Sequence, residues 1–207
     1  MREQKPKNRL NLPKFVLAAS GLYAGLATAF SMIGLLPIAG NLLPTPYLIG
    51  NPLEVSGISV EHVVGHIVFG MIAGIVTLSV RYLIIAGLFP IALDADHLIQ
   101  FLNLEAIPRM GHSFVYAVIS VPIMMYVLGK RDYRLGAISL ASVLTHVSFD
   151  VLLSDKIGSS FPILIPFSGQ TVTLIGYDWI LFLAAAAIII GIGTFIAKKP
   201  YSNKAQI

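Results

Sequence analysis

Five histidines and three aspartates carry the chemistry this chain could do. His62, His66, His97, His112 and His146 are all the histidines in 207 residues, and Asp94, Asp96 and Asp150 sit in the same apolar stretches. His62 and His66 are four apart and share one face of a helix. His146 and Asp150 have the same spacing, and Asp94 and His97 are three apart, also on one face. Asp96 points elsewhere unless the helix ends there. Imidazole nitrogen with carboxylate oxygen suits zinc, manganese or iron better than copper(I). There is no cysteine, which excludes thiolate sites, disulfides and cysteine nucleophiles.

The elements that position these groups are apolar. Hydrophobic residues make up 56% of the chain and charged residues 12%, about half the charged share of a soluble domain, and mean hydropathy is +0.82. Six segments run about Phe15–Ile38, Val60–Val80, Tyr82–Phe101, Ser113–Leu128, Tyr133–Leu153 and Trp179–Ala197, each near the length that crosses roughly 30 Å of hydrocarbon. The expectation is an all-α, polytopic membrane bundle of about six transmembrane helices. A single domain over residues 15–197 lies between a basic tail, 1–14, and a C-terminal tail, 198–207. The basic start followed by an apolar run resembles a signal peptide. The run continues to Ala39, however, too long for a signal core, so it reads as a retained first helix. Pro90 and Pro122 are expected inside helices.

With the N-terminus cytoplasmic, Arg2, Lys5, Lys7, Arg9, Lys14, Arg81, Lys130, Arg131, Arg134, Lys198, Lys199 and Lys204 fall inside, 12 of the 14 basic residues. That is the positive-inside pattern for an even number of crossings with both termini cytoplasmic. It accounts for the net charge of +4 without nucleic acid. The acids do the reverse, with only Glu3 and Asp132 inside. Counting about 1.5 Å per residue from the inner end puts Asp94 roughly 18 Å and His146 roughly 20 Å up their helices. His66, entering from outside, reaches nearly the same plane, and His112 approaches from the start of the fourth helix. A shared outer-face metal or proton site follows.

Blander readings hold for individual residues. A lone intramembrane His or Asp is often a helix-packing group. Glu61 suits the headgroup region, Glu105, Asp155 and Asp178 suit solvated loops, and Tyr177 with Trp179 suits an interfacial aromatic anchor. Packing alone does not explain all five histidines and three aspartates on one side. The outer segments Gly40–Gly57 and Ser154–Tyr177 read as irregular, the second as a lid or interfacial dip.

The motifs His66-Ile67-Val68-Phe69-Gly70, Asp94-Ala95-Asp96-His97, Arg109-Met110-Gly111-His112-Ser113 and His146-Val147-Ser148-Phe149-Asp150, with the later Pro166-Phe167-Ser168, resemble a family of predicted membrane-bound metal-dependent hydrolases, which includes LexA-regulated inner-membrane proteins. The match runs from about His62 to Ser168. The family's turn reads His-Arg-Gly-x-Thr-His-Ser. Here Pro108 precedes Arg109 and the turn is one residue shorter, so one histidine is missing; His62 substitutes for it spatially, or the metal number differs. The ligand pattern is also broadly similar to zinc phospholipase C.

The resemblance implies a hydrolase at the outer leaflet. His66, Asp94, Asp96, His97, His112, His146 and Asp150 would hold one to three divalent ions, zinc first and manganese or iron as alternatives, with His62 a possible further ligand. A metal-activated water is the expected nucleophile. Asp94 or Asp96 would accept its proton, and Arg109 would neutralise a phosphate. Ser113 would hold His112 or the substrate. Membrane lipids are the first partners such a site meets, and a phosphoester lipid is the simplest substrate; a small molecule is the other. Two other classes compete: a divalent-metal or proton transporter, disfavoured by apolar inner helix halves such as Leu83–Leu88 and Leu135–Ile138, and a structural or regulatory protein whose helices a metal staples.

Overall fold

A computed structural model describes residues 11–33, 48–49, 59–96, 107–108, 110–128, 131–154, 159–161, 163–168 and 170–198. Among the described residues there are six α-helices: α1 (Leu12–Met32), α2 (Val60–Gly74), α3 (Val80–Leu93), α4 (Phe114–Val127), α5 (Tyr133–Ser154) and α6 (Asp178–Lys198). Their starts are written in the sequence. The side chain of Asn11 accepts from Lys14 N at 3.1 Å, that of Ser59 from His62 N at 3.1 Å and that of Ser113 from Tyr116 N at 3.1 Å, so each satisfies an amide with no partner inside the helix.

The apolar side chains point outward as well as inward. Helices α1, α5 and α6, and α2 with its 3-10 extension to Thr77, are long and apolar enough to cross a membrane; α4 is apolar and shorter. Leu17 is 77% exposed, Leu181 69% and Ile188 62%, a surface suited to hydrocarbon rather than water. Helix α5 is the hub: 78% of its apolar window is buried, against 22% in α6. Around it Phe15, Tyr23, Phe89, Leu93, Tyr116 and Ile138 form the main core, and Tyr23 stacks on Phe89 at 4.2 Å between centroids.

Two boundaries differ from expectation. The apolar run predicts a third helix to Phe101, but α-helical geometry stops at Leu93 and a 3-10 turn takes Asp94–Asp96. The amide of Asp94 turns to Ile91 O and Ala92 O, which tightens the chain there. The second helix passes into 3-10 geometry at Ile75–Thr77 rather than continuing to Val80.

The outer connection after α5 is also more regular than a loop. Ser159–Phe161 (β2 below) pairs antiparallel with Val172–Leu174 (β3), and Leu48–Ile49 (β1) pairs with Ile107–Pro108. Phe161 of β2 and Leu174 of β3 pack on Val147 and Val151, with Trp179 against them. Ser148 Oγ donates to Trp179 O at 2.6 Å, fixing the start of α6 beside the outer half of α5. Most of Gly40–Gly57, residues 1–10 and 199–207, and the loop acids Glu105 and Asp155 lie outside the described residues; the end of the expected basic tail, residues 12–14, belongs to α1 instead, because Asn11 caps the helix there.

Candidate metal centre

Four helix ends meet around Asp94. Helix α2 delivers His62 and His66, one turn apart. The 3-10 turn after α3 delivers Asp94 and Asp96, the short 3-10 turn Met110–His112 delivers His112, and α5 delivers His146 and Asp150. The tightened turn answers the question the sequence left open: with α-helical geometry ended, both aspartates turn into the site.

The donor atoms lie close together. Asp94 Oδ1 is 3.3 Å from His112 Nε2 and 3.7 Å from His146 Nε2, and its Oδ2 is 3.5 Å from His62 Nε2. Asp150 is 3.3 Å from both His66 Nε2 and His146 Nε2. His66 and His62 approach at 3.0 Å through their Nε2 atoms, and the His66 and His146 rings stack at 3.9 Å. His112 Nδ1 is 3.6 Å from Asp96 Oδ2. Three groups could each hold a metal ion: His62, His66 and Asp150; His66, Asp94 and His146; Asp94, Asp96 and His112.

The spacing fits such an ion. Tetrahedral ligation at the usual bond lengths of about 2.0–2.1 Å separates neighbouring donors by about 3.3 Å; the contacts here run from 3.0 to 3.7 Å, and within each group all ligand atoms lie within 4.8 Å of one another. The donor set is nitrogen and oxygen only, which suits a borderline or hard divalent ion.

His146 makes the case chemically. Its Nδ1 lies 2.8 Å from Pro90 O. A carbonyl only accepts, so Nδ1 carries the hydrogen and the neutral ring presents a lone pair at Nε2. That lone pair is buried, makes no hydrogen bond, and faces carboxylate oxygens of Asp150 and Asp94. Lone pair against carboxylate is repulsive unless a cation stands between them, either a proton on the ring or a metal ion. A ligating histidine anchored through its other nitrogen to a backbone carbonyl is a common arrangement in metal sites. Among the described residues, histidines pair with all three carboxylates. Arg81 lies over the Phe15 ring and Arg134 over Tyr82.

The residues expected from sequence fall as follows. His62, His66, Asp94, Asp96, His112, His146 and Asp150 come together. His97 and Arg109 lie outside the described residues. Ser113 does not reach toward His112 or an open space: its hydroxyl donates to Met110 O at 2.8 Å and accepts from Tyr116 N, so it caps α4. His62 lies beside His66 and Asp94. The most open edge is at Asp150 and His62, whose side chains are 18% and 13% exposed.

Ser31 is the residue sequence reasoning missed. It lies near the end of α1, accepts from Gly111 N at 3.0 Å and donates to Asp96 Oδ2 at 2.9 Å. A serine in an apolar helix carries no signal by itself, because small hydroxyls are common where such helices pack. Ser31→Ala is expected to weaken metal affinity by roughly 10- to 100-fold, the usual loss on removing an outer partner of a ligand. A competitive chelator titration reads this directly; unchanged affinity would reduce Ser31 to a packing residue.

No family model, curated protein or solved structure matches the chain, so its function is read from its own geometry.

Proposed function

We propose that this chain is a membrane-embedded, metal-dependent hydrolase, as its motifs imply, with its site near the outer leaflet and a phosphoester bond as its target. The observation that carries the reading is the buried Nε2 lone pair of His146 aimed at two carboxylates, an arrangement a divalent cation completes. In this reading the six helices all cross the bilayer and both termini are cytoplasmic. The alternation of helix ends supports it, since α1, α3 and α5 finish at the site while α2, α4 and α6 begin there.

His62, His66, His112, His146, Asp94, Asp96 and Asp150 would hold one or more ions, zinc being the first choice. A bound divalent ion supplies Lewis acidity toward an ester oxygen and lowers the pKa of water toward about 7. The chain's own groups do the rest. Pro90 O fixes the tautomer of His146, and Ser31 orients Asp96. Of the two acids considered as proton acceptor, Asp96 is wholly buried and held by Ser31. Asp94 has its Oδ2 3.5 Å from His62, a partly exposed member of the cluster, and is the better placed. Arg109 remains the proposed phosphate partner.

Transport is less favoured. Below the site Ser139, Ser142 and Thr145 are buried, more polar groups than the apolar inner segments led one to expect. Their hydrogens are engaged by the backbone, donating to Gly136 O at 2.8 Å, Ile138 O at 2.6 Å and Ser142 O at 3.1 Å, and none of these residues carries a charge to hold a permeating ion below the site. The burial of His66, His146 and Asp96 favours a second reading, in which the ion staples the helices.

The test has two parts. Elemental analysis of purified wild type is expected to find near-stoichiometric zinc, manganese or iron, lost in the folded Asp96→Ala, His146→Ala double variant. A phosphoester and phospholipid screen is then expected to find turnover that His146→Ala abolishes. Wild-type protein that stays metal-free after growth with supplied metal sinks the proposal. Ligand variants that lose thermal stability with no turnover to lose leave the staple.

A further inference from the structure

We propose that Arg81 and Arg134 form a binding site for the phosphate of an anionic phospholipid, at the end of the bundle opposite the candidate metal centre. Tyr82 comes twelve residues before Asp94 on α3, and Arg134 twelve before His146 on α5. The two sites are therefore about 18 Å apart along both helices.

The site is built from three helix starts. Phe15 stands in the first turn of α1, Arg81 and Tyr82 in that of α3, and Asp132 and Arg134 at the start of α5. The Phe15 and Tyr82 rings meet edge to face, 6.1 Å between centroids. Arg81 Cζ lies 3.2 Å from the centre of the Phe15 ring, and Arg134 Cζ 5.3 Å from that of Tyr82. One aromatic pair thus carries both guanidiniums, each drawn to a ring face by cation–π attraction.

Among the described residues nothing neutralises them. Arg81 Nε and Arg134 Nε are buried with no hydrogen-bond partner, and neither guanidinium pairs with a described carboxylate. Asp132, the described acid at these helix starts, is engaged elsewhere: its Oδ2 accepts from Tyr82 Oη at 2.7 Å and its Oδ1 from Leu135 N at 3.1 Å. The terminal guanidinium nitrogens are the donors an outside acceptor would meet. Their planar fork matches phosphate oxygens two at a time, and stacking on a ring holds that plane before a ligand arrives. The positive ends of three helix dipoles reinforce the field.

A phospholipid matches the surroundings. Leu12 and Leu17, close to Phe15 in α1, and Leu78 and Val80, just before Arg81, are exposed. An anionic phospholipid offers an oxyanion to the arginines and hydrocarbon to these side chains; a soluble phosphate offers only the first. The same arginines serve as orientation signals in the sequence. Orientation needs charge alone, and gives no reason for two guanidiniums to be held on one aromatic pair.

The experiment records electron spin resonance of spin-labelled lipids around the full chain in phosphatidylcholine vesicles, with metal stripped so that the His/Asp cluster holds no cation for a headgroup. Spin-labelled phosphatidylglycerol and phosphatidylcholine share the phosphodiester and differ in the choline charge. The association constant from the motionally restricted fraction is expected to be about fivefold higher for phosphatidylglycerol. Arg81→Lys with Arg134→Lys keeps every charge and removes the stacked planes, and is expected to bring the ratio below about twofold. Arg134→Lys alone, which leaves the closer Arg81–Phe15 stack, is expected to fall between. Equal restriction of the two lipids by wild type overturns the proposal. A double lysine variant with the full wild-type ratio also overturns it, because diffuse charge then suffices. Loss of the excess in inorganic phosphate, but not in chloride of the same ionic strength, makes the ligand free phosphate and overturns the lipid assignment.

Discussion

On the proposed reading, Asp94→Asn is expected to empty the candidate metal centre, leaving the purified protein with under about a tenth of the wild-type metal content and abolishing whatever phosphoester turnover the wild type shows. Removing an outer partner of a ligand typically costs 10- to 100-fold in affinity, and Asp94 is nearer the centre than any such partner. It lies within 3.3 to 3.7 Å of three histidines that come from three different elements, and it belongs to two of the three groups that could hold an ion. Asparagine keeps the shape and one acceptor oxygen but loses the negative charge that holds a divalent cation. Asp178→Asn is the control: that carboxylate accepts from Ile175 N at 2.9 Å at the start of α6 and belongs to none of the three groups that could hold an ion, so metal content stays at the wild-type level. The comparison is made by elemental analysis on protein that elutes as a single folded species. An Asp94→Asn protein that keeps its metal would falsify the centre as drawn here.

The sequence made the cluster legible because histidine and aspartate within strongly apolar helices have few other uses. Spacing placed His62 with His66 and His146 with Asp150, and the rise per residue brought Asp94 and His146 to one height. Two things were not legible. Helical periodicity cannot show where an apolar run leaves α-helical geometry, since leucine and isoleucine continue through it. The run Leu93–Phe101 therefore reads as more helix, although the 3-10 turn at Asp94 is what brings Asp96 inward. Backbone groups are also silent in a sequence. Pro90 was visible as a kink, but its carbonyl, which orients His146, was not. Ser113 illustrates the opposite error. Its position after His112 invited a role in the site, whereas serine before an apolar helix is first of all a cap. The ribbon over the end of α5 escaped notice because its two strands are three residues each, too short for an alternating pattern to declare itself.

Gly70→Ala is expected to destabilise the bundle and to disturb the metal centre with it. A Cβ at Gly70 would fall against the carbonyl of Ala86, with Ala86 C at 2.8 Å and Pro90 Cγ at 2.9 Å. The reason lies in Pro90, four residues after Ala86. Proline has no N–H, so it cannot bond that carbonyl, and the bare backbone of Gly70 closes over the gap. The contact is one helical turn from the site on both sides, since His66 precedes Gly70 by four residues and Asp94 follows Pro90 by four. A methyl group here meets backbone rather than a side chain that can swing away, so α2 must move off α3 and carry His66 from Asp94. Overpacking of this kind costs about 1–3 kcal/mol, and for a chain of this length that lowers the unfolding midpoint by roughly 2–12 °C. Gly21→Ala is the matched control, because nothing lies within 4 Å of a Cβ there, and alanine in that helix gains up to about 1 kcal/mol in propensity. Thermal unfolding of both variants in the same detergent, with metal bound and with metal stripped, reads the two effects separately. A fall for Gly70→Ala with metal but not without it means that the close approach serves the centre. An equal fall in both states means that it serves the fold. No fall in either contradicts the α2–α3 contact.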